Sequence, residues 1–219
     1  MLSIVALFIT AIVLAVPIRE ASLEHPASGF PTFPYEQAKD ATFQVFWGGE
    51  FRGSAFLEKS GYVVTPFHAV DKASGDLSIR TVNGTSVPVS IAKVDKQQDF
   101  ALLNLIEKLP DVAPLSLADS STLSIGQPVL LIGSPHGLFP TATAGIVSAL
   151  NRNGTEAMCP TCTRLIQTDA ATGHGSSGGP LLNEEGEVVG MLAHLIVGDS
   201  NFNFAVSVEH IRALIDSME

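Results

Sequence analysis

Three residue types that nucleophilic acyl transfer requires stand far apart in this chain: His68, Asp99 and Ser177. Ser177 lies in Gly175-Ser176-Ser177-Gly178-Gly179-Pro180, where flanking glycines allow a tight backbone turn. In such a turn the amides of Gly175 and Ser177 can point at one oxyanion, each contributing about 2.7–4 kcal/mol to the transition state. His68 follows Val63-Val64-Thr65, just past a strand end, where a side chain can face a cleft. Asp99 opens the apolar run Phe100-Ala101-Leu102-Leu103, and a buried carboxylate beside one imidazole fixes its tautomer.

Taken singly, each residue has a plainer reading: a flexible Gly/Ser turn, or a loop histidine satisfied by its surroundings. The three together at compatible spacing favour catalysis. Asp95 competes with Asp99, but it stands between Lys93 and Lys96 in a solvated setting. Ser176 precedes the nucleophile and is expected to shape the turn.

Short Val/Ile/Leu/Phe runs separated by turn residues must position these groups. Strands are expected over 43–47, 54–58, 62–65, 77–81, 87–94 and 100–106, then over 128–132, 144–150, 164–168, 180–182, 188–197 and 202–206. Six strands per half predict an all-β chain of two antiparallel six-stranded β-barrels, closed so that no edge is exposed. The expected boundaries are an N-terminal barrel over about 41–109 and a C-terminal barrel over about 125–207. A C-terminal helix over 208–218 carries Ile211, Leu214 and Ile215 on one face. Residues 22–40 read as a Pro/Gly/aromatic linker, irregular over 24–35.

The chain has 219 residues and a net charge of -10, with no basic stripe to neutralise phosphates, which argues against nucleic-acid binding. Residues 2–16 are almost wholly apolar. Residues 1–21 read as a secretory signal with small residues near Ala15 and Ala21, or as a retained membrane anchor. Either reading puts the domain outside the cytosol, secreted or periplasmic.

Cys159-Pro160-Thr161-Cys162 lacks the βαβ setting of a thioredoxin-like motif. Two cysteines fall short of the four ligands of a zinc site, so no metal is expected. A local disulfide closing a loop near the active site is the expected state, with a redox switch on activity as a further hypothesis.

Longer motifs strengthen the reading. They are Gly61-Tyr62-Val63-Val64-Thr65 before His68, Asp99-Phe100-Ala101-Leu102-Leu103, and Leu131-Ile132-Gly133-Ser134-Pro135-His136-Gly137. Thr143-Ala144-Gly145-Ile146-Val147-Ser148-Ala149-Leu150, Ile166-Gln167-Thr168-Asp169-Ala170-Ala171 and Gly175-Ser176-Ser177-Gly178-Gly179 continue the series. From about Gly53 onward the chain resembles a trypsin-like serine protease of the HtrA/Deg group, with the chymotrypsin-type order His, Asp, Ser. The resemblance implies a double barrel over 41–219 with the active site between the barrels, and a serine-type endopeptidase needing no cofactor. Its implied substrates are unfolded or damaged polypeptides, cleaved after small or medium aliphatic residues.

Several positions depart from the group. His136 replaces an aromatic residue, His174 stands where an Arg or similar residue is common, and no PDZ module follows. The absence of a cysteine beside His68 and of an acid at 176 argues against the animal digestive type. Ala171, six residues before Ser177, stands where trypsin-like enzymes carry an acid, so a basic substrate side chain would lack a partner. Met191, Ala193, His194, Leu195 and Asn203 are expected to wall the substrate pocket, with His174 beside it. The resemblance also implies a homotrimer through an aromatic N-terminal segment, for which Phe30, Phe33 and Tyr35 are candidates. The rival readings are a peptide-binding pseudo-protease or chaperone-like module with a resting oxyanion turn, and a protease devoted to one partner.

Overall fold

Short apolar runs bounded by turn residues decide the architecture. In the computed structural model, which describes residues 32–218 apart from 74, 110, 157 and 196–200, twelve strands form two closed antiparallel barrels. The first contains β1 (Thr42–Trp47), β2 (Glu50–Leu57), β3 (Val63–Thr65), β4 (Leu77–Arg80), β5 (Ser86–Asp95) and β6 (Phe100–Leu105), in the order β1-β2-β3-β6-β5-β4. The second contains β7 (Pro128–Gly133), β8 (Thr141–Arg152), β9 (Leu165–Thr168), β10 (Pro180–Leu182), β11 (Val188–Leu195) and β12 (Asn203–Ser207), in the order β10-β11-β12-β9-β8-β7.

Successive strand side chains point to opposite faces, so a strand whose two faces are both covered reads as continuously apolar. β6 is such a case. Ala101 and Leu103 fill the first barrel with Phe43, Val45 and Ile79, while Phe100 and Leu102 face a seam between the barrels. The second barrel sends Leu130, Ile132, Met191, Phe204 and Val206 into the same seam and keeps Val129, Leu131, Val147, Leu192 and Ala205 inside. The connection between barrels is stitched down by short bridges, Glu58 with Leu115 and Leu117 with Val188.

Helix α2 (Val208–Asp216) closes the chain, with Ser207 as N-cap accepting from the Glu209 amide. Val208, Ile211 and Ile215 extend the seam. A second helix, α1 (Tyr35–Asp40), occupies the last part of the expected linker, where the sequence predicts no helix. Six residues carry too little intrinsic helical signal to read from sequence, and packing supplies the rest. Ala38 is buried in the seam, and Phe33 and Tyr35 pack against it. Phe30, the apolar run and residues 22–31 of the expected linker lie outside the described residues. No described helix is long and apolar enough to cross a membrane.

Candidate active site

The first barrel supplies an acid–base pair. β3 runs through Pro66 into a 3-10 turn, Phe67–Ala69, which lifts His68 to the cleft. Across from it, the turn between β5 and β6 is built by Asp95, whose Oδ1 accepts from the amides of Gln97 (2.9 Å) and Gln98 (3.0 Å). Asp95 therefore shapes the turn, and Asp99 at its end has φ 56°, a left-handed conformation that aspartate tolerates better than most residues. The Phe67 amide donates to the Asp99 carbonyl at 3.2 Å. The His68 amide donates to Asp99 Oδ1 at 3.0 Å, and His68 Nδ1 lies 2.6 Å from Asp99 Oδ2. With Nδ1–H donating to the carboxylate, Nε2 is left as the acceptor. Burial pulls the His68 pKa down, but the hydrogen bond and charge of Asp99, with a smaller push from Asp71, raise it above the ordinary 6.5.

The second barrel presents Ser177 on the turn before β10. Gly175 and Gly178 both have φ +96°, open to glycine and strained for other residues. A side chain at 178 would also collide with the Ser54 carbonyl, 1.7 Å from the position of its Cβ. Two bonds from β2 clamp this turn across the seam: the Ser54 amide donates to the Ser177 carbonyl, and its hydroxyl to the Gly175 carbonyl, both at 2.7 Å. Ser176 is 2% exposed, and its Oγ accepts from the Gly173 amide at 3.2 Å, so it braces the turn from within. The Ser177 hydroxyl donates to the Ala193 carbonyl at 3.2 Å rather than to His68. Among the described residues, neither the Gly175 nor the Ser177 amide donates to a backbone carbonyl.

His68, Gly175 and Ser177 line one cleft of about 370 Å³, with Phe51, Arg52, His136 and His174 around it. The His136 amide donates to the His174 carbonyl at 2.6 Å, tying the strand 7 loop to the serine turn. A roomier cavity of about 680 Å³ on the flank of the first barrel, between Ala73, Leu77, Pro88 and Ile106, holds none of these groups.

The expected pocket residues separate. Ala171 is exposed and is not among the residues that line the cleft; its carbonyl accepts from Thr143 Oγ1 at 2.7 Å. Asn203 is 1% exposed; its amide donates to the Ala170 carbonyl and its Oδ1 accepts from Thr172, so it holds the 170–172 segment from behind. Met191 has no exposed surface, because strand alternation turns it into the seam, and this corrects its expected place on a pocket wall. Ala193 offers its backbone carbonyl, and the Leu195 side chain lies outside the described residues. His194 takes an unexpected position, with Nε2 3.5 Å from Asp99 Oδ2 and its ring 6.3 Å from that of His68. Burial lowers its pKa and the neighbouring His68 adds to this, while the Asp99 charge opposes both.

Cys159 and Cys162 are joined by a disulfide. Their loop leans on the turn that carries Asp99: Thr161 Oγ1 donates to the Gln97 carbonyl (2.7 Å), and the Thr163 amide to Gln98 Oε1 (3.0 Å). Sequence reasoning missed Ser54, Gln98 and the approach of His194 to Asp99. These pairings span dozens of residues and leave no local pattern.

Two closed six-stranded barrels with His, Asp and Ser gathered at their junction define the chymotrypsin-type class of serine peptidase fold. The family described as a trypsin-like peptidase domain matches residues 53–191, and the chain belongs to it, as an HtrA-type serine protease domain. Among curated relatives, the periplasmic serine endoprotease DegP of Salmonella typhimurium is 35% identical over 161 residues, covering 72% of this chain and 33% of that protein. A probable periplasmic serine endoprotease, DegP-like, of Chlamydia trachomatis serovar D is 32% identical over 208 residues, covering 87% and 41%. The solved structure of the HtrA-type protease AlgW with tripeptide superposes with a TM-score of 0.76 at 26% identity, covering 84% of this chain and 62% of that one. The chain thus spans less than half the length of these two curated relatives.

Proposed function

We propose that this chain is a serine endopeptidase in which Ser177 attacks the scissile carbonyl, His68 takes and returns the proton, and Asp99 orients His68. The observation that carries this reading is the 2.6 Å contact of His68 Nδ1 with Asp99 Oδ2, at a cleft that also receives Ser177. A histidine so held keeps one tautomer, with Nε2 available as general base. The amides of Gly175 and Ser177, unclaimed by any described backbone carbonyl, are the oxyanion donors. An extended polypeptide pairing along the edge near residues 191–195 is the substrate. Ala171 in place of an acid favours small or medium aliphatic side chains. The likeness to periplasmic serine endoproteases, with the apolar run at residues 2–16, supports an extracytoplasmic site of action, by secretion or by an anchor.

Incubation with unfolded casein, followed by mapping of the new termini, tests this reading. Cleavage after aliphatic residues, abolished in Ser177→Ala, is expected. Intact casein with folded protein would sink the general peptidase and leave the protease devoted to one partner.

One observation favours a second reading, a resting or peptide-binding form: the Ser177 hydroxyl is bonded to the Ala193 carbonyl and not to His68. Substrate-dependent activation, in which the hydroxyl leaves the Ala193 carbonyl for His68, is the form in which we retain it. A homotrimer through the aromatic N-terminal segment completes the proposal. A monomer by sedimentation would remove it, and Phe33 and Tyr35 already pack against the chain's own seam.

A further inference from the structure

We propose that, once the Cys159–Cys162 bond is reduced, Cys159, Cys162 and His194 form a binding site for a zinc-type divalent cation. The ligand atoms of these three residues all lie within 4.8 Å of one another, the two sulfurs being bonded to each other in the oxidised form. His194 Nε2 lies 3.7 Å from Cys162 Sγ. Zinc bonds of about 2.3 Å to sulfur and 2.0–2.1 Å to nitrogen at a tetrahedral angle need a separation of roughly 3.6 Å, so this edge is close to its bound length. Counting cysteines in the sequence finds only two ligands; the third arrives from β11 through the fold.

The surroundings suit the chemistry. Cys159 and Cys162 are 8% and 1% exposed, and the His194 side chain is 11% exposed, which shelters the site from bulk water. The two-residue spacing between the cysteines is that of many zinc loops, and thiolate with imidazole is a donor set zinc prefers over magnesium or calcium. Three protein ligands leave the fourth position to water, as in sites of the two-cysteine, one-histidine type.

The steps balance with a dithiol as reductant. The dithiol passes two electrons and two protons to the disulfide, giving two cysteine thiols and the oxidised dithiol. The cation then displaces both thiol protons and takes the lone pair of His194 Nε2, releasing two protons to solvent. A low-molecular-weight disulfide reverses this: it takes two electrons from the two thiolates and two protons from solvent, leaves as two thiols, and the rejoined sulfurs release the cation.

Resting on the reading of Asp99 as the carboxylate that orients His68, the same site regulates it. A cation on His194 Nε2 stands next to Asp99 Oδ2, which is 3.5 Å from that nitrogen, and competes with His68 for the carboxylate. Loading the site is therefore inhibitory.

Cobalt(II), titrated into the whole chain, supplies an optical probe that does not depend on activity. We expect the reduced chain to take up one equivalent with thiolate-to-metal charge-transfer absorption and the visible bands of tetrahedral cobalt, displaced by zinc. The oxidised chain and a Cys159→Ser/Cys162→Ser chain should show neither, and His194→Ala should weaken affinity at least about tenfold. Near-ultraviolet circular dichroism checks that each form is folded, and reoxidation of the same sample should release the metal. Absence of the thiolate bands in the reduced chain, or unchanged spectrum and affinity in His194→Ala, overturns the site. If the site loads but casein hydrolysis is unaffected, the link to Asp99 falls. If no form hydrolyses casein, the peptidase reading fails, and the titration still decides the metal site.

Discussion

The two barrels contribute to the candidate site in different ways. The first barrel joins its two groups to each other directly: His68 is bonded through both its amide and its ring to Asp99, and the turn carrying Asp99 is capped by Asp95, with Thr161 and Thr163 of the second barrel only bracing that turn from outside. The second barrel's share is held in part by the first. Its serine turn is gripped by Ser54 of β2, and the Ser177 hydroxyl points to a carbonyl of β11. An acid–base pair bonded directly to itself and a nucleophile held through contacts across a seam make the serine turn the half that substrate or the neighbouring barrel can adjust.

The largest effect separates nucleophile from scaffold. Ser177→Ala should lower peptide hydrolysis by about 10⁵–10⁶-fold, as removal of a triad serine does elsewhere, with the melting temperature unchanged. If Ser176→Ala has that effect and Ser177→Ala does not, the assignment within the turn is reversed. Next comes the first barrel's pair. Asp99→Asn should cost about 10⁴-fold in kcat, since the wrong tautomer then faces the serine. Its pH profile sharpens the point. His68 must be neutral to act as base and its pKa is raised above 6.5, so activity should fall with acid through a midpoint above 6.5. Removing the Asp99 charge should move that midpoint down; no movement would mean the pair does not govern the profile.

Smaller effects probe the cross-seam clamp. Gly178→Ala, at φ +96° and against the Ser54 carbonyl, should cost about 3 kcal/mol in thermal or denaturant unfolding. Ser54→Ala removes only the hydroxyl bond to the Gly175 carbonyl. It should cost about 1 kcal/mol of stability and lower kcat more than it raises KM. Equal effects of Ser54→Ala on His68 titration and on serine reactivity would erase the distinction between the barrels.

Legibility in the sequence follows the range of the interactions. The strands stand within a few residues of their expected places, because apolar runs and Gly/Pro punctuation are local signals. His68, Asp99 and Ser177 stood out because each carries its setting with it: a strand end, an apolar run, a glycine turn. α1 was not legible, since its stability comes from packing Ala38 on the seam. Met191 was misread as a pocket residue because a continuously apolar strand does not say which face is which. The proximity of His194 to both Asp99 and Cys162 depends on how the second barrel docks on the first, which no local pattern encodes.

The most direct test of the proposed nucleophile is labelling of the folded chain with a fluorophosphonate, followed by peptide mapping, with and without unfolded casein. We expect the label on Ser177, faster with casein, absent in Ser177→Ala and retained in Ser176→Ala. A folded chain that takes no label under either condition, or takes it on another residue, would contradict an activated Ser177.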